Sequence, residues 1–412
     1  MLRSLLVLCL VACSASQPTA PALDSGSDAA SGSEVSADAL DLGPFAAAPR
    51  DGTWTFIPFA DAYCADGTPT GIGVSLTTAS DDLLIYLNGG GACWDAATCA
   101  PAAPETPCAT NLNSGYDETH GEPAWSTFSD PTTFAGTIFD RTDAGNPFRT
   151  FNFIHVFYCT GDTHAGSAIA SYTIIGRDHQ PHPVHHVGYQ NLQTYVRALH
   201  GAFRPGRVVI SGSSAGGFGS YTGYDLVAST FAPAPVYMVD DAGPYLEPQY
   251  VPAGNTAGQA WNIAAALPAG CATCTTDMTA LAPYLSNAYP DGRMALVSST
   301  EDGEIRQRYQ LDGPGFAAAL ASLQTNVLSA LPNWQVFYMA GSTHTAIAGL
   351  VAHTTPCGRG ITNVTGLSCA PTLQQWLADE LDSPTWTSAT PPPGAPGTQQ
   401  TFPSHPWCAI GN

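Results

Sequence analysis

An α/β fold with a mostly parallel sheet flanked by helices is the class this sequence predicts, on three observations. Short apolar, β-branched runs alternate with helix-like stretches, and strands covered on both faces read as continuous apolar runs. Each run ends in a polar or Gly-rich loop, where open parallel sheets carry their functional groups. The chain is also long enough, at 412 residues and 44% hydrophobic, to fill a sizeable core.

In chain order, Met-Leu-Arg places one charge ahead of a short apolar run. Residues 1–12 therefore read as a secretory signal peptide, too short to span a membrane. Leu10-Val11-Ala12-Cys13 resembles the bacterial lipobox, in which the Cys thiol is acylated after cleavage. An ordinary signal peptide is the other reading, and both export the protein; with Ser14 next, an outer-membrane or cell-surface lipoprotein is expected. Residues 13–48 are Ser, Ala, Asp, Pro and Gly with few large apolar side chains, a disordered acidic tether. Residues 49–412 are expected to form one folded body.

Within the body, strands are expected at 83–87, 152–158, 207–210, 235–239, 293–297 and 335–339, and helices at 189–200, 217–228, 315–330 and 373–381. The His-rich stretch 177–188 reads as a surface loop. The Pro-rich stretch 384–412 reads as a wrap over the body, pinned by Cys408, and not as a second domain.

All twelve basic side chains are Arg, against 33 Asp and Glu, for a formal charge of −21. No cationic face is available for nucleic acid. Beyond Cys9 and Cys13 ten cysteines remain, an even number that implies disulfides in an exported chain, with pairings left open. Cys271-Ala-Thr-Cys274 has no second metal-type pair with it and reads as a structural bridge. No metal and no cofactor are expected, and contact with a membrane only through the lipid anchor. A monomer is expected.

The expected strand at 207–210 runs into Ser211-Gly212-Ser213-Ser214-Ala215-Gly216-Gly217 and then a helical stretch. Gly-x-Ser-x-Gly at a strand-to-helix turn is the nucleophile elbow of α/β-hydrolases, with Ser214 as nucleophile. A serine hydroxyl needs a His base and a carboxylate that orients it, in the chain order Ser, acid, His. Of the downstream histidines, His344 alone closely follows an expected strand, while His353 falls in a helical stretch and His405 in the tail. Asp302 follows strand 293–297 and is the expected acid; Asp241, after strand 235–239, is the rival, or else a loop-capping or pocket residue. Strand 83–87 delivers Asn88-Gly89-Gly90-Gly91-Ala92-Cys93-Trp94. Amides of Gly90 and Gly91, with that of Ala215, are the expected oxyanion donors. Trp94, Asp162, His164 and Asp241 are candidates to line the substrate.

These residues resemble the pectin acetylesterase and Notum family of α/β-hydrolase carboxylesterases, its bacterial branch in particular, over about residues 51–369. The family loop Leu-Glu-Gly-Gly-Gly-Trp-Cys is matched in length by Leu87 to Cys93, and its second Cys six residues on is matched in spacing by Cys99. Tyr158-Cys159-Thr160-Gly161-Asp162 with Gly166, the Ser214 elbow, and Asp241-Ala242-Gly243 are further matches. The resemblance implies an α/β-hydrolase fold with disulfide-held loop insertions, and Ser214, Asp302 and His344 as the triad. The activity it implies is hydrolysis of O-acyl esters on polysaccharides, or of a lipid ester on protein in the animal branch. Ala92 stands where the family has an aromatic residue, Ser213 where plant members have Cys, and Thr345-Ala346 where plant members have Cys-Gln after the His.

The expected substrate is an acetylated glycan or other ester. Pectin is a polyanion, and a catalyst of charge −21 repels it within a Debye length; a neutral glycan such as acetylxylan or acetylated mannan is expected in preference. Longer acyl esters or polyesters, and a catalytically silent binding lipoprotein of the same fold, are the alternatives.

Overall fold

A computed structural model describes residues 42–96, 98–99, 134–173, 180–349 and 351–400. Cys13, Cys108 and Cys408, the expected signal peptide and most of the expected tether lie outside the described residues.

Eight strands form the central sheet: β1 (Asp51–Tyr63), β2 (Pro69–Thr77), β3 (Leu83–Leu87), β4 (Asn152–Val156), β7 (Val208–Ser213), β8 (Val236–Asp241), β9 (Arg293–Ser299) and β10 (Trp334–Met339). Between β4 and β7 in the chain come β5 (Ala168–Thr173) and β6 (Pro181–His186). The order across the sheet is β1-β2-β4-β3-β7-β8-β9-β10. From β4 to β10 every neighbouring pair is parallel, whereas β1 and β2 add an antiparallel edge.

The parallel strands are buried along almost their whole length, so successive side chains feed opposite layers. Ile85, Ile154, Ile210, Met238 and Leu296 face one layer, packed on Leu192, Leu199, Tyr224, Val227, Phe316 and Leu320. Those residues come from helices α1 (Gly188–Ala202), α2 (Ala215–Phe231) and α4 (Gly313–Asn326); α3 (Leu281–Ala288) adds Leu281 and Leu285. Leu84, Phe153, Val209, Val239, Val297 and Phe337 face the other layer, with Trp376 and Leu377 of α5 (Leu373–Asp382). Local signals set the helix starts: Asp312 accepts from the Gly315 amide, and Thr372 and Gln375 form a capping box.

Several expectations are corrected. The strand expected at 152–158 stops at Val156, and the one at 207–210 runs on to Ser213. The stretch 177–188 is not simply a surface loop: Pro181–His186 pairs with Ala168–Thr173, and His186 is wholly buried. The helix expected at 315–330 ends at Asn326, and a separate tight turn covers Leu328–Ala330. The body starts before residue 49, because Phe45 is buried edge-on against Phe203.

Residues 384–400 lie along β10. Ala389 exchanges backbone hydrogen bonds with Val336 and Tyr338, and Thr398 does so with Ala340 and Ser342. This covers an edge that would otherwise offer unpaired amides and carbonyls. Four disulfides are present among the described residues, Cys64–Cys159, Cys93–Cys99, Cys271–Cys274 and Cys357–Cys369. No helix among them is long and apolar enough to cross a membrane.

Candidate active site

Ser214 links β7 to α2 with φ 59° and ψ −120°, a conformation that costs a non-glycine residue on the order of 1–3 kcal/mol. Its amide donates to the Asp241 carbonyl at 2.7 Å and its carbonyl accepts from Phe218 at 3.2 Å. The flanking glycines are steric necessities: a Cβ on Gly212 would lie 2.3 Å from the Gly216 carbonyl oxygen, and one on Gly216 would lie 1.9 Å from that of Leu87. The sharp turn leaves Ser214 partly exposed at the carboxyl end of the sheet.

Asp302 follows β9 and His344 follows β10, and the two side chains meet. His344 Nδ1 lies 3.0 and 2.9 Å from the Asp302 carboxylate oxygens. Asp302 is wholly buried, and its Oδ1 also accepts from the amides of Glu304 and Ile305. The Nδ1 proton is thereby committed to the carboxylate, leaving Nε2 as the basic nitrogen. Burial works against the charged imidazole, but the Asp302 charge and hydrogen bond, with smaller help from Glu304 and Asp241, raise the His344 pKa above its ordinary value. Among the described residues no hydrogen bond joins Ser214 to His344; without substrate such catalytic contacts are often long.

Asp241 does not line an open site, contrary to expectation. It is wholly buried; its carboxylate accepts from the Ser213 hydroxyl at 2.7 Å and from the amides of Ala346 and Ile347 at 2.9–3.1 Å. Tyr86 donates in turn to Ser213 Oγ at 3.0 Å. Burial pushes the Asp241 carboxyl up, while these hydrogen bonds and His344 pull it down. Asp241 thus ties the elbow to the loop carrying His344, a role that Asp240-Asp241 alone does not announce in the sequence.

The loop after β3 packs on the elbow: a Cβ on Gly89 would sit 2.5 Å from the Ser213 carbonyl oxygen and 3.0 Å from Ser214 Cβ. Gly90 and Gly91 have φ of 153° and 84°. Their amides, and that of Ala215 in the first turn of α2, make no hydrogen bond among the described residues; the opening amides of a helix have no intrahelical acceptor. Asp162 and His164 are buried, at 0% and 2% exposure, so they too are corrected from lining residues to internal ones. Trp94 stays partly exposed, its ring edge-on to Trp261. Tyr86, Ser213 and Tyr158 belong to this region and were not singled out from the sequence for these contacts; Tyr158 sits in the Tyr-Cys motif, which is the one signal that points to it. Cys93, Cys99 and His186 cluster closely enough to suggest metal ligands, but the two sulfurs are bonded to each other.

The sequence model of the pectinacetylesterase family matches residues 46–281. The structure of the Wnt deacylase Notum from Drosophila is similar, with a TM-score of 0.53 at 16% identity, covering 82% of this chain and 100% of that one. That likeness shows the fold, the α/β-hydrolase fold expected from the sequence. No curated protein matches the chain. The family match covers more than half of the sequence, and the chain therefore belongs to the pectinacetylesterase family and is a carboxylic ester hydrolase.

Proposed function

We propose that the protein removes O-acetyl or other short acyl groups from polysaccharides through a Ser214, His344 and Asp302 triad. The observation that carries this reading is the buried Asp302 carboxylate on His344 Nδ1, at the same end of the sheet as a strained elbow serine. His344 Nε2 takes the Ser214 proton as Oγ attacks the ester carbonyl. The amides of Gly90, Gly91 and Ala215 receive the developing oxyanion, and His344 returns the proton to the leaving sugar hydroxyl. Water then hydrolyses the acyl enzyme by the same route. Catalysis draws on no cofactor in this scheme.

Acetate release from p-nitrophenyl acetate, acetylxylan, acetylated mannan and pectin, by the wild type and by Ser214→Ala, tests the reading. Release by the wild type and none by the variant supports it, and equal release by both sinks it. With a net charge of −21, neutral acetylated glycans are the favoured substrates. Activity on pectin that is high at low ionic strength and falls on adding salt would overturn that preference. Activity on long-chain esters alone would favour the longer-acyl alternative. The disulfides support export, and we extend the proposal to lipid attachment at Cys13, tested by whether Cys13→Ala moves the protein from the membrane to the soluble fraction.

A further inference from the structure

We propose that Tyr158 and His164 are positioning residues that hold the oxyanion loop from behind. This rests on the triad reading above and concerns side chains outside the triad. The loop from Asn88 to Cys93 is gripped at both ends by one buried segment. His164 Nε2 lies 2.8 Å from the Asn88 carbonyl oxygen. The Tyr158 hydroxyl donates to the Gly91 carbonyl at 2.7 Å, and the Cys93 amide donates to the Gly161 carbonyl at 2.8 Å. A carbonyl only accepts, so the His164 proton toward Asn88 sits on Nε2.

Peptide planarity converts these contacts into control of donors. Fixing the Asn88 and Gly91 carbonyls fixes the two peptide planes that bracket Gly89, Gly90 and Gly91. Between those planes no side-chain hydrogen bond among the described residues holds the glycines, and two of them have positive φ. The direction of the Gly90 and Gly91 amides is therefore set from the ends of the stretch.

The gripping segment is itself over-determined. Thr163 and His164 have φ of 53° and 58°, a strain that surrounding structure must hold. Asp162 does so: its Oδ1 accepts from Thr160 Oγ1 at 2.6 Å and from the His164 amide at 3.1 Å, and its Oδ2 accepts from the Gly188 amide at 2.7 Å. The Tyr158 hydroxyl also accepts from the Thr163 amide at 2.8 Å, and the Tyr158 and His164 rings lie 4.7 Å apart. A histidine whose only duty was to fill space would not need its ring nitrogen on the carbonyl that starts the loop.

The test compares His164→Ala, His164→Gln and Tyr158→Phe with the wild type on p-nitrophenyl acetate. Active sites are counted by an organophosphonate label, and inhibition by phenylboronic acid is measured, whose serine adduct mimics the tetrahedral intermediate. Glutamine can still present an N–H to Asn88, and phenylalanine removes only one hydroxyl. His164→Ala and Tyr158→Phe are expected to lower kcat per labelled site roughly tenfold or more, short of the roughly 100- to 1000-fold that deleting a donor costs, with KM little changed. The boronate inhibition constant should rise by a similar factor, and His164→Gln should recover most of the loss. Unchanged kcat per labelled site and unchanged boronate affinity in both truncating variants would overturn the proposal. So would a rise in KM alone, or His164→Gln as impaired as His164→Ala. If His164→Ala does not fold, Tyr158→Phe decides it. Ser214→Ala is run alongside: activity surviving there sinks the triad reading, whereas an inactive Ser214→Ala beside unimpaired Tyr158 and His164 variants sinks this proposal alone.

Discussion

His344 Nδ1 lies within 3.0 Å of both carboxylate oxygens of Asp302, which has no exposed surface of its own. The charge that stabilises the imidazolium is thus shielded from water, where it acts most strongly. Because the His344 pKa is raised and the base form is the reactive one, kcat/KM should rise with pH through a midpoint above the ordinary histidine value of about 6.5. Asp302→Asn should lower kcat by roughly 10⁴-fold and move that midpoint down, since burial then acts without the opposing charge. A pH–rate profile of both proteins checks this. By linkage the same shift contributes stability below about pH 6.5 that is lost as pH rises through the folded value.

Asp241 receives one hydroxyl and two backbone amides on a carboxylate with no access to water. Asp241→Asn keeps the shape but turns an N–H toward groups that are themselves donors. A loss of about 1–3 kcal/mol in urea unfolding is expected, together with a fall in kcat as the His344 loop loosens. Stability and activity both unchanged would show that the elbow and the histidine loop are not joined in this way.

Gly341 sits three residues before His344 with φ of 107°, and a Cβ there would lie 2.2 Å from the Thr398 carbonyl oxygen. Gly341→Ala should push the covering segment off the histidine loop and cost about 1–3 kcal/mol from backbone strain alone. Tm and kcat should fall together. Restoration of kcat by a second change that merely stabilises the protein elsewhere would argue against a local effect.

Glu380 is wholly buried on α5, and neither carboxylate oxygen has a hydrogen-bond partner among the described residues. Burial pushes its pKa well up, with Arg293 and Arg207 pulling only partly against it. A raised acid contributes stability at low pH that is lost as pH rises through its folded value. Glu380→Gln should therefore unfold at a higher urea concentration than the wild type at pH 8, with the gap closing or reversing at pH 4. A gap that does not change with pH would show that burial leaves the Glu380 pKa where it is in the unfolded chain.

The parallel half of the sheet was legible because doubly buried strands cannot alternate: 83–87 and 293–297 stand out as apolar runs. The elbow was legible because its glycines are steric necessities, as the 1.9 Å approach at Gly216 shows. The antiparallel edge was not expected. Strand β1 carries Pro58, tolerated at a sheet edge, and β2 carries Gly71, where a Cβ would meet the Ile57 carbonyl oxygen at 2.1 Å; both residues read as breakers. Asp241 ends β8 and Asp302 follows β9, and only the fold separates them, sending Asp302 to the imidazole and Asp241 to the amides two and three residues beyond it. Asp162 and His164 read as substrate-lining because polar side chains in a loop usually face solvent; the bonds made by their buried side chains run to Gly188 and Asn88, partners that local sequence cannot name.

The segment that lies along β10 has a consequence for the order of events during synthesis. Ribosomes deliver β10 before residues 389–398 exist outside the tunnel, so the last sheet strand emerges with its outer edge bare and stays so while the whole of α5 is made. In that interval the strand is open to any other extended chain nearby. Chains cut short before Ala389 should consequently be found in aggregates more often than as dispersed inactive protein, even though the triad candidates and nearly the entire sheet are already encoded upstream.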